Sequence, residues 1–325
     1  QLFQGDIENY ESFVLRNSGN DWDQTLLRDG YLVSLIRGID IDYQQYRPVL
    51  SYINGEYWGI YNIREKISEH FISSHHDVPT DDIDLLAYNG AFEDNLETIH
   101  GTKNDYMNLI NFISSNDVSD ATVFEAINDW IDIEQYIKYQ VIQTFIDNRD
   151  WPGNNIKYWR PQTQNGKWRW ILYDTDFGFG VPWMGLGYNF NTLEFATETN
   201  GPGWPNPPWS TYLLRRLLEN SDYRNRFINI FSDRLNTIFQ PSFLTNSLDL
   251  LASRIEPIIP IHQERWPGSS VDWSYHIQIV ETFAENRQSY IRQFIRDYFN
   301  LPAVRYSLFT ISSPVSYTHL RAHET

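Results

Sequence analysis

Two alternating runs, residues 47–53 (RPVLSYI) and 57–63 (YWGIYNI), flank Asn54-Gly55. Asn-Gly between runs of this kind predicts a tight β-hairpin. Upstream, Leu26, Leu27, Leu32, Leu35 and Ile36 mark one face of a helix over 22–38. From Thr102 onward the period is helical. Tyr106, Leu109, Ile110 and Ile113 make one helix and residues 123–130 a second. A third spans 133–145, with Tyr136, Ile137, Val141 and Phe145 on one face. A second hairpin follows, from 156–160 through a polar turn at 162–167 to 168–174. The stretch 202–209 (PGWPNPPW) excludes regular helix and central strand. Residues 210–240, 241–264 and 271–299 then read as helices.

This order predicts an α+β protein with two lobes rather than alternating βα units. The small, mixed β-containing N-terminal lobe is expected over 1–88. The larger, mostly helical C-terminal lobe is expected over 89–305. Residues 306–312 (YSLFTIS) alternate like the opening of a further domain, placed at 306–313. Residues 314–325 carry neither period and resemble translated adapter sequence, so His319 and His323 are not read as metal ligands. A chain opening on Gln1 without a signal segment is read as a piece of a longer protein.

Composition narrows the chemistry. With 325 residues, 41% of them hydrophobic, a large core is available. No apolar run reaches the roughly 18 residues of a membrane span. The net charge of −17 argues against general nucleic-acid binding, which draws on cationic contacts to phosphate. The acidity is concentrated: residues 81–150 hold 15 Asp and Glu against 3 Lys and Arg. The absence of Cys excludes disulfides, thiolate metal sites and a cysteine nucleophile.

Two segments carry candidate chemistry. Asn148-Arg149-Asp150-Trp151-Pro152-Gly153-Asn154-Asn155 follows a helix, and Tyr173-Asp174-Thr175-Asp176-Phe177-Gly178 ends a strand. An Asp, an Asn five residues later, and a strand-borne Asp-Phe-Gly reproduce the order of a kinase catalytic loop and metal-binding loop. ATP brings phosphates and Mg²⁺, a hard ion that takes oxygen ligands. Asp150 is therefore the candidate base for an acceptor hydroxyl, with Asn155 and Asp176 as metal ligands. Asp174 shares a strand face with Asp176, and adjacent carboxylates repel unless a cation lies between them or one protonates. The cation for the phosphates is sought on the second strand of the first hairpin. There Arg64 and Lys66 are expected on one face and Glu65 on the other. His75-His76 is read as a loop pair, not a metal site.

These residues resemble the CotH kinase family of atypical kinases, named after a spore-coat protein. The likeness is carried by residues 14–22 (VLRNSGNDW), 54–66 (NGEYWGIYNIREK), 150–155, 168–180 and 283–287 (FAENR), and spans about 10–300. The resemblance implies a protein-kinase-like two-lobed fold. It also implies transfer of the ATP γ-phosphate to protein Ser or Thr with Mg²⁺ or Mn²⁺, commonly outside the cytoplasm or at a bacterial cell surface. By position it makes Asp150 the catalytic Asp, Asp174 and Asp176 the metal pair, and Asn155 the metal-binding Asn, with Asn154 as its neighbour. Lys66 falls on the phosphate-contacting basic position, with Arg64 as rival. No G-x-G-x-x-G loop precedes Arg64; the turn Ser18-Gly19-Asn20 is one candidate cover. The Glu that would orient Lys66 is unplaced, Glu93 and Glu97 being weak candidates.

Two other readings remain open at this level. A carbohydrate-active or glycan-binding protein would use the Trp-rich 202–209 loop as a sugar platform and Asp150 with Asp176 for hydrolysis. A catalytically inactive surface module would keep the fold without the reaction.

Overall fold

The computed structural model describes residues 2, 3, 5, 7–88 and 96–303, so Glu93, the strand expected at 306–313 and the 314–325 tail lie outside the described residues. The first elements are β1 (Phe13–Arg16), α1 (Arg28–Ile36), β2 (Asp42–Tyr43), β3 (Tyr46–Ile53) and β4 (Glu56–Glu65). Asn54 and Gly55 take φ of 53° and 85°, the left-handed pair that a two-residue hairpin requires, and join β3 to β4. β1 adds to the other edge of β4, giving an antiparallel sheet in the order β1-β4-β3. In that register Arg16 faces Asn62 and Val14 faces Arg64.

The helix expected from Trp22 begins only at Arg28. Leu26 has φ 63°, which interrupts the helical path, and the buried Asp21 carboxylate accepts the N–H groups of Thr25, Leu27 and Arg28. The Arg28 guanidinium pairs with the same carboxylate. Asp21 thus acts as a cap reached through a loop rather than the next residue in line.

After β4 come α2 (Glu69–His76), β5 (Ile83–Tyr88), β6 (Leu96–His100), α3 (Asn104–Ser115), α4 (Ala121–Trp130) and α5 (Ile133–Phe145). The hairpin β7 (Ile156–Pro161) and β8 (Arg169–Leu172) follows. These strands form a second sheet, β2-β8-β7-β5-β6, antiparallel except for the β2–β8 pair. It draws strands from both sides of position 88, and that boundary falls within the β5–β6 connection. His75 and His76 lie on helix α2, not in a loop. His75 Nε2 meets Glu65 Oε1 at 2.8 Å and His76 Nε2 meets Asp42 Oδ1 at 3.0 Å, so the pair fastens α2 to the strands.

The remainder is helical: α6 (Thr192–Ala196), α7 (Pro208–Leu217), α8 (Ser221–Leu235), α9 (Pro241–Ile255), α10 (Ile259–Arg265) and α11 (Trp273–Tyr298). The run 210–240 divides because the Asn220 side chain accepts the N–H groups of Asp222 and Tyr223 and starts a new helix. The chain is therefore mixed α+β, with a β-rich N-terminal region and a helical C-terminal part. One main core runs through both, from Leu26 to Ile295. Tyr31 on α1 donates its hydroxyl to Leu244 O on α9 at 2.8 Å across that core.

Helix α5 is buried on every side except Glu134. Gln135 uses its amide as a strand would: Trp170 N donates to its Oε1 at 2.9 Å, and its Nε2 donates to Trp170 O. This contact docks β8, and so the segment running into Asp174, on the helix whose C-terminal end leads into Asp150.

Candidate active site

Both candidate loops spring from the ends of these two elements. Past α5, Asp147 takes φ 56°, which ends the helix and turns the chain into 148–155. Past β8, Asp174 takes φ 52° and redirects the strand. Phe179 N donates to Ile146 O at 2.7 Å, tying the second loop to the end of α5, and Gly178 N donating to Thr175 O at 3.0 Å closes a turn within that loop.

Asp150 is buried and densely held. Asn154 Nδ2 donates to both of its oxygens at 2.9 Å, Trp204 Nε1 donates to Oδ1 at 2.9 Å, and Asn155 Nδ2 donates to Oδ2. Burial raises its pKa above the ordinary carboxylate range, the Asn154 and Trp204 donors pull it back, and the Asp174 charge adds to the rise. The loop containing Trp204 lies against this turn, for Gly153 N donates to Pro205 O at 2.6 Å. A Cβ on Gly153 would sit 2.5 Å from that oxygen, so glycine permits the approach. The 202–209 segment thus covers the Asp150 loop, with Trp204 pointing its indole N–H inward.

Asp174 and Asp176 meet at one guanidinium. Arg16 Nη2 donates to Asp176 Oδ2 at 2.9 Å and also to Asp174 Oδ1, while Nη1 lies 3.5 Å from Asp29 Oδ2. Asn20 N donates to Asp176 Oδ2 at 2.9 Å. The turn Ser18-Gly19-Asn20 therefore roofs the acidic pair. Gly19 has φ 61°, and a Cβ there would lie 2.3 Å from both Arg16 Nη2 and Asp176 Oδ2. Asp176 is 2% exposed, and its Oδ1 is buried with no hydrogen-bond partner. Burial, then the charges of Asp174 and Asp29, push its pKa up to about 8 against the pull of Arg16. Burial likewise raises Asp174, opposed by Arg16.

The basic residues sought on β4 divide. Arg64 is buried and committed: Nη1 donates to Asp29 Oδ2 at 2.8 Å, Nε to Gln45 O at 3.0 Å and Nη2 to Gln44 O at 3.2 Å. Lys66 lies beyond the last residue of β4, so the alternation that would set it beside Arg64 has stopped; it is exposed, near Tyr10 and Glu11. Glu65, expected on the opposite face, is buried and accepts from Gln45 N at 3.0 Å. Two other cations stand by the acidic pair. One is Arg16. The second is Lys157 on β7, whose ammonium lies 4.4 Å over the Tyr173 ring and within electrostatic reach of Glu97 and Asp174. Glu97 on β6 and Lys157 on β7 both face Ala87 of the intervening β5, so they flank one small residue.

Arg16, to which the sequence assigned no site role, lies inside the 14–22 stretch, on the short strand β1 whose other residues Phe13, Val14 and Leu15 are exposed. Asp29 was hidden in the predicted helix. It accepts Thr175 N at 2.6 Å and Thr175 Oγ1 at 2.8 Å, fixing the residue between the two acids. Desolvation works against its ionisation, but Arg64 and Arg16 hold Asp29 below its ordinary value.

The donor set suits Mg²⁺. That ion is usually held by one or two carboxylates together with phosphate oxygens, not by an all-protein cage. Among the described residues no three His, Asp or Glu side chains form such a cage. Three carboxyl groups (Asp29, Asp174, Asp176) face two guanidiniums (Arg16, Arg64), so full ionisation would leave one negative charge in excess; the raised pKa of Asp176 keeps a proton there near neutral pH, which a bound cation would replace. The orphaned Asp176 Oδ1 marks where a cation would be satisfied.

Two loops thus carry the held Asp150 carboxylate and the Asp174–Asp176 pair. The profile of the family described as CotH kinase protein matches residues 1–291, and the chain belongs to that family. The chain is also similar to Invasin CotH2 of Rhizopus delemar, 21% identical over 168 residues. That match covers 50% of this chain and 27% of the fungal protein.

Proposed function

We propose that this chain is an ATP-dependent protein kinase of two-lobed, kinase-like build that phosphorylates Ser or Thr on a protein acceptor. The observation that carries this reading is that Asp150, held by Asn154, Asn155 and Trp204, lies within electrostatic reach of Asp174, which shares the Arg16 guanidinium with Asp176. Asp150 accepts the proton of the acceptor hydroxyl. Its hydrogen-bonded amides orient the carboxylate, and its raised pKa brings it nearer to the basicity such a transfer needs. Asp174 and Asp176, with the Asn155 side-chain oxygen, are the metal ligands. When bound, Mg²⁺ would supply charge neutralisation at the phosphates. Arg16 and Lys157 offer further positive charge on the same side of the site, in a chain whose acidity would otherwise repel ATP. The 202–209 loop shields the Asp150 turn from water.

Trp204 is 41% exposed, but it directs its indole N–H at Asp150 and its loop packs on the Asp150 turn, which favours a cover for that turn over a sugar platform. The relative named an invasin supports an extracytoplasmic or surface location. No described helix is long and apolar enough to cross a membrane. The reading is tested by thermal denaturation with ligands. ATP with Mg²⁺ should raise Tm and oligosaccharides should not. Stabilisation by oligosaccharide alone would turn the assignment to glycan binding, and no response to either would favour an inactive module.

A further inference from the structure

Arg16 occupies a position unlike that of the other buried arginines. Arg28 and Arg64 have side chains 0% and 3% exposed, and each donates to at least one backbone carbonyl. Arg16 is 21% exposed and sits on the edge strand β1. Among the described residues its hydrogen bonds go only to carboxylates: Asp29, Asp174 and Asp176. One nitrogen, Nη2, is within hydrogen-bonding distance of an oxygen from each member of the acidic pair. That point is where a cation bridging Asp174 and Asp176 would lie. The second Asp176 oxygen is buried and unpartnered, so the guanidinium does not fully satisfy the pair.

We infer that Arg16 is a displaceable placeholder for the divalent cation. This inference rests on the proposed metal role of Asp174 and Asp176. Without metal, the single Arg16 charge bridges the two acids and offsets part of their repulsion. When a divalent ion enters, the guanidinium leaves the pair. Its other nitrogen, Nη1, already lies 3.5 Å from Asp29 Oδ2, so Asp29 is the anchor about which the side chain turns. Asp29 is itself held by Arg64, whose Nη1 lies 2.8 Å from the same oxygen. The displaced charge stays beside the site, where it can meet the phosphates that arrive with the metal. Arg16 is therefore a positioning residue that competes with metal and cooperates with nucleotide. Two cations cannot share the same oxygens in a poorly hydrated site without strong repulsion, so the competition follows from the geometry.

The test is Mn²⁺ binding without nucleotide, measured by isothermal titration and by the loss of the free-ion paramagnetic signal, in wild type, Arg16→Gln and Asp176→Ala. Arg16→Gln retains length and hydrogen-bonding capacity but no charge. It should bind Mn²⁺ at least tenfold more tightly than wild type, melt at a lower temperature without metal, and bind ATP without metal more weakly. Asp176→Ala should not bind. Circular dichroism verifies that the variants are folded, and Arg16→Lys, which keeps the charge, should stay near wild-type affinity if Arg16→Gln proves unstable. Wild-type binding with equal or weaker affinity in Arg16→Gln would overturn the placeholder role and leave the metal site standing. Absence of binding in all three proteins would overturn both.

Discussion

Trp204 donates its indole N–H to Asp150 Oδ1 at 2.9 Å, linking a Pro- and Gly-rich loop to the carboxylate that is the candidate base. The bond stabilises the ionised form of a group whose pKa burial has already raised. A hydrogen bond to a charged group contributes about 1.5 kcal/mol, which corresponds to about one pH unit. Trp204→Phe should therefore raise the Asp150 pKa further. The acidic limb of the rate against pH should move to higher pH by about one unit, while the rate on the plateau changes less. An unmoved limb would separate Asp150 from the proton transfer.

Gly19 roofs the acidic pair with a left-handed backbone that an L-residue adopts at a cost of about 1–2 kcal/mol. An added Cβ would also press on Arg16 and Asp176. Gly19→Ala should cut phosphate transfer by tenfold or more and lower stability only modestly. Activity at the wild-type level would show that this turn does not shape the site.

Arg287 is fully buried on α11, and its guanidinium gathers carbonyls from two directions. It donates to Thr144 O at 2.9 Å and Phe145 O at 2.8 Å at the end of α5. On the other side it donates to Tyr188 O at 3.1 Å, Phe190 O at 2.7 Å and Thr192 Oγ1 at 2.8 Å. It thereby pins the 187–192 segment against the helix that delivers the Asp150 loop. Burial lowers its pKa to about 10, opposed by Asp147. Arg287→Ala should destabilise the fold by about 3 kcal/mol or more, since it strands several buried carbonyls, each costing about 1–3 kcal/mol when left unpaired. Urea denaturation measures this directly; a loss below about 1 kcal/mol would contradict the pinning role.

His262 on α10 ties the helical part to β4. Its Nδ1 accepts Ile60 N–H at 3.0 Å, so the neutral ring carries its proton on Nε2, 3.0 Å from Ser269 Oγ, which in turn donates to Trp22 O at 2.6 Å. Burial lowers its pKa from 6.5 to about 4. A histidine that stays neutral in the fold but takes a proton when unfolded contributes stability above about pH 6.5. That contribution declines as pH falls from about 6.5 to about 4. The Tm should drop across this window, and His262→Gln should flatten that part of the profile. A wild-type Tm independent of pH there would contradict the assignment.

Much of this arrangement can be read from the chain. Asn54-Gly55 forces the hairpin because its turn is local, and α3, α4 and α5 follow their apolar period. The order of Asp150, Asn155, Asp174 and Asp176 locates the two loops before any fold is known. What escapes is set by contacts distant in sequence. The second sheet joins β2 to β8 and β5 to β7, pairs that no local pattern dictates. Lys66 is misplaced by alternation because β4 stops at Glu65. Arg16 reaches Asp176, 160 residues away, only through the pairing of β1 with β4. Asp29 and Lys157 take their places by the same tertiary logic.

The central claim is phosphoryl transfer at the acidic pair and Asp150, and labelled phosphate from ATP measures it most directly. Wild type, Asp150→Asn and Asp176→Ala should be incubated with a generic protein acceptor, with and without Mg²⁺ or Mn²⁺. Wild type should label Ser or Thr only when metal is present, and each variant should lose at least a hundredfold in rate while remaining folded. Equal labelling by wild type and Asp176→Ala, or labelling by wild type without metal, would contradict the account.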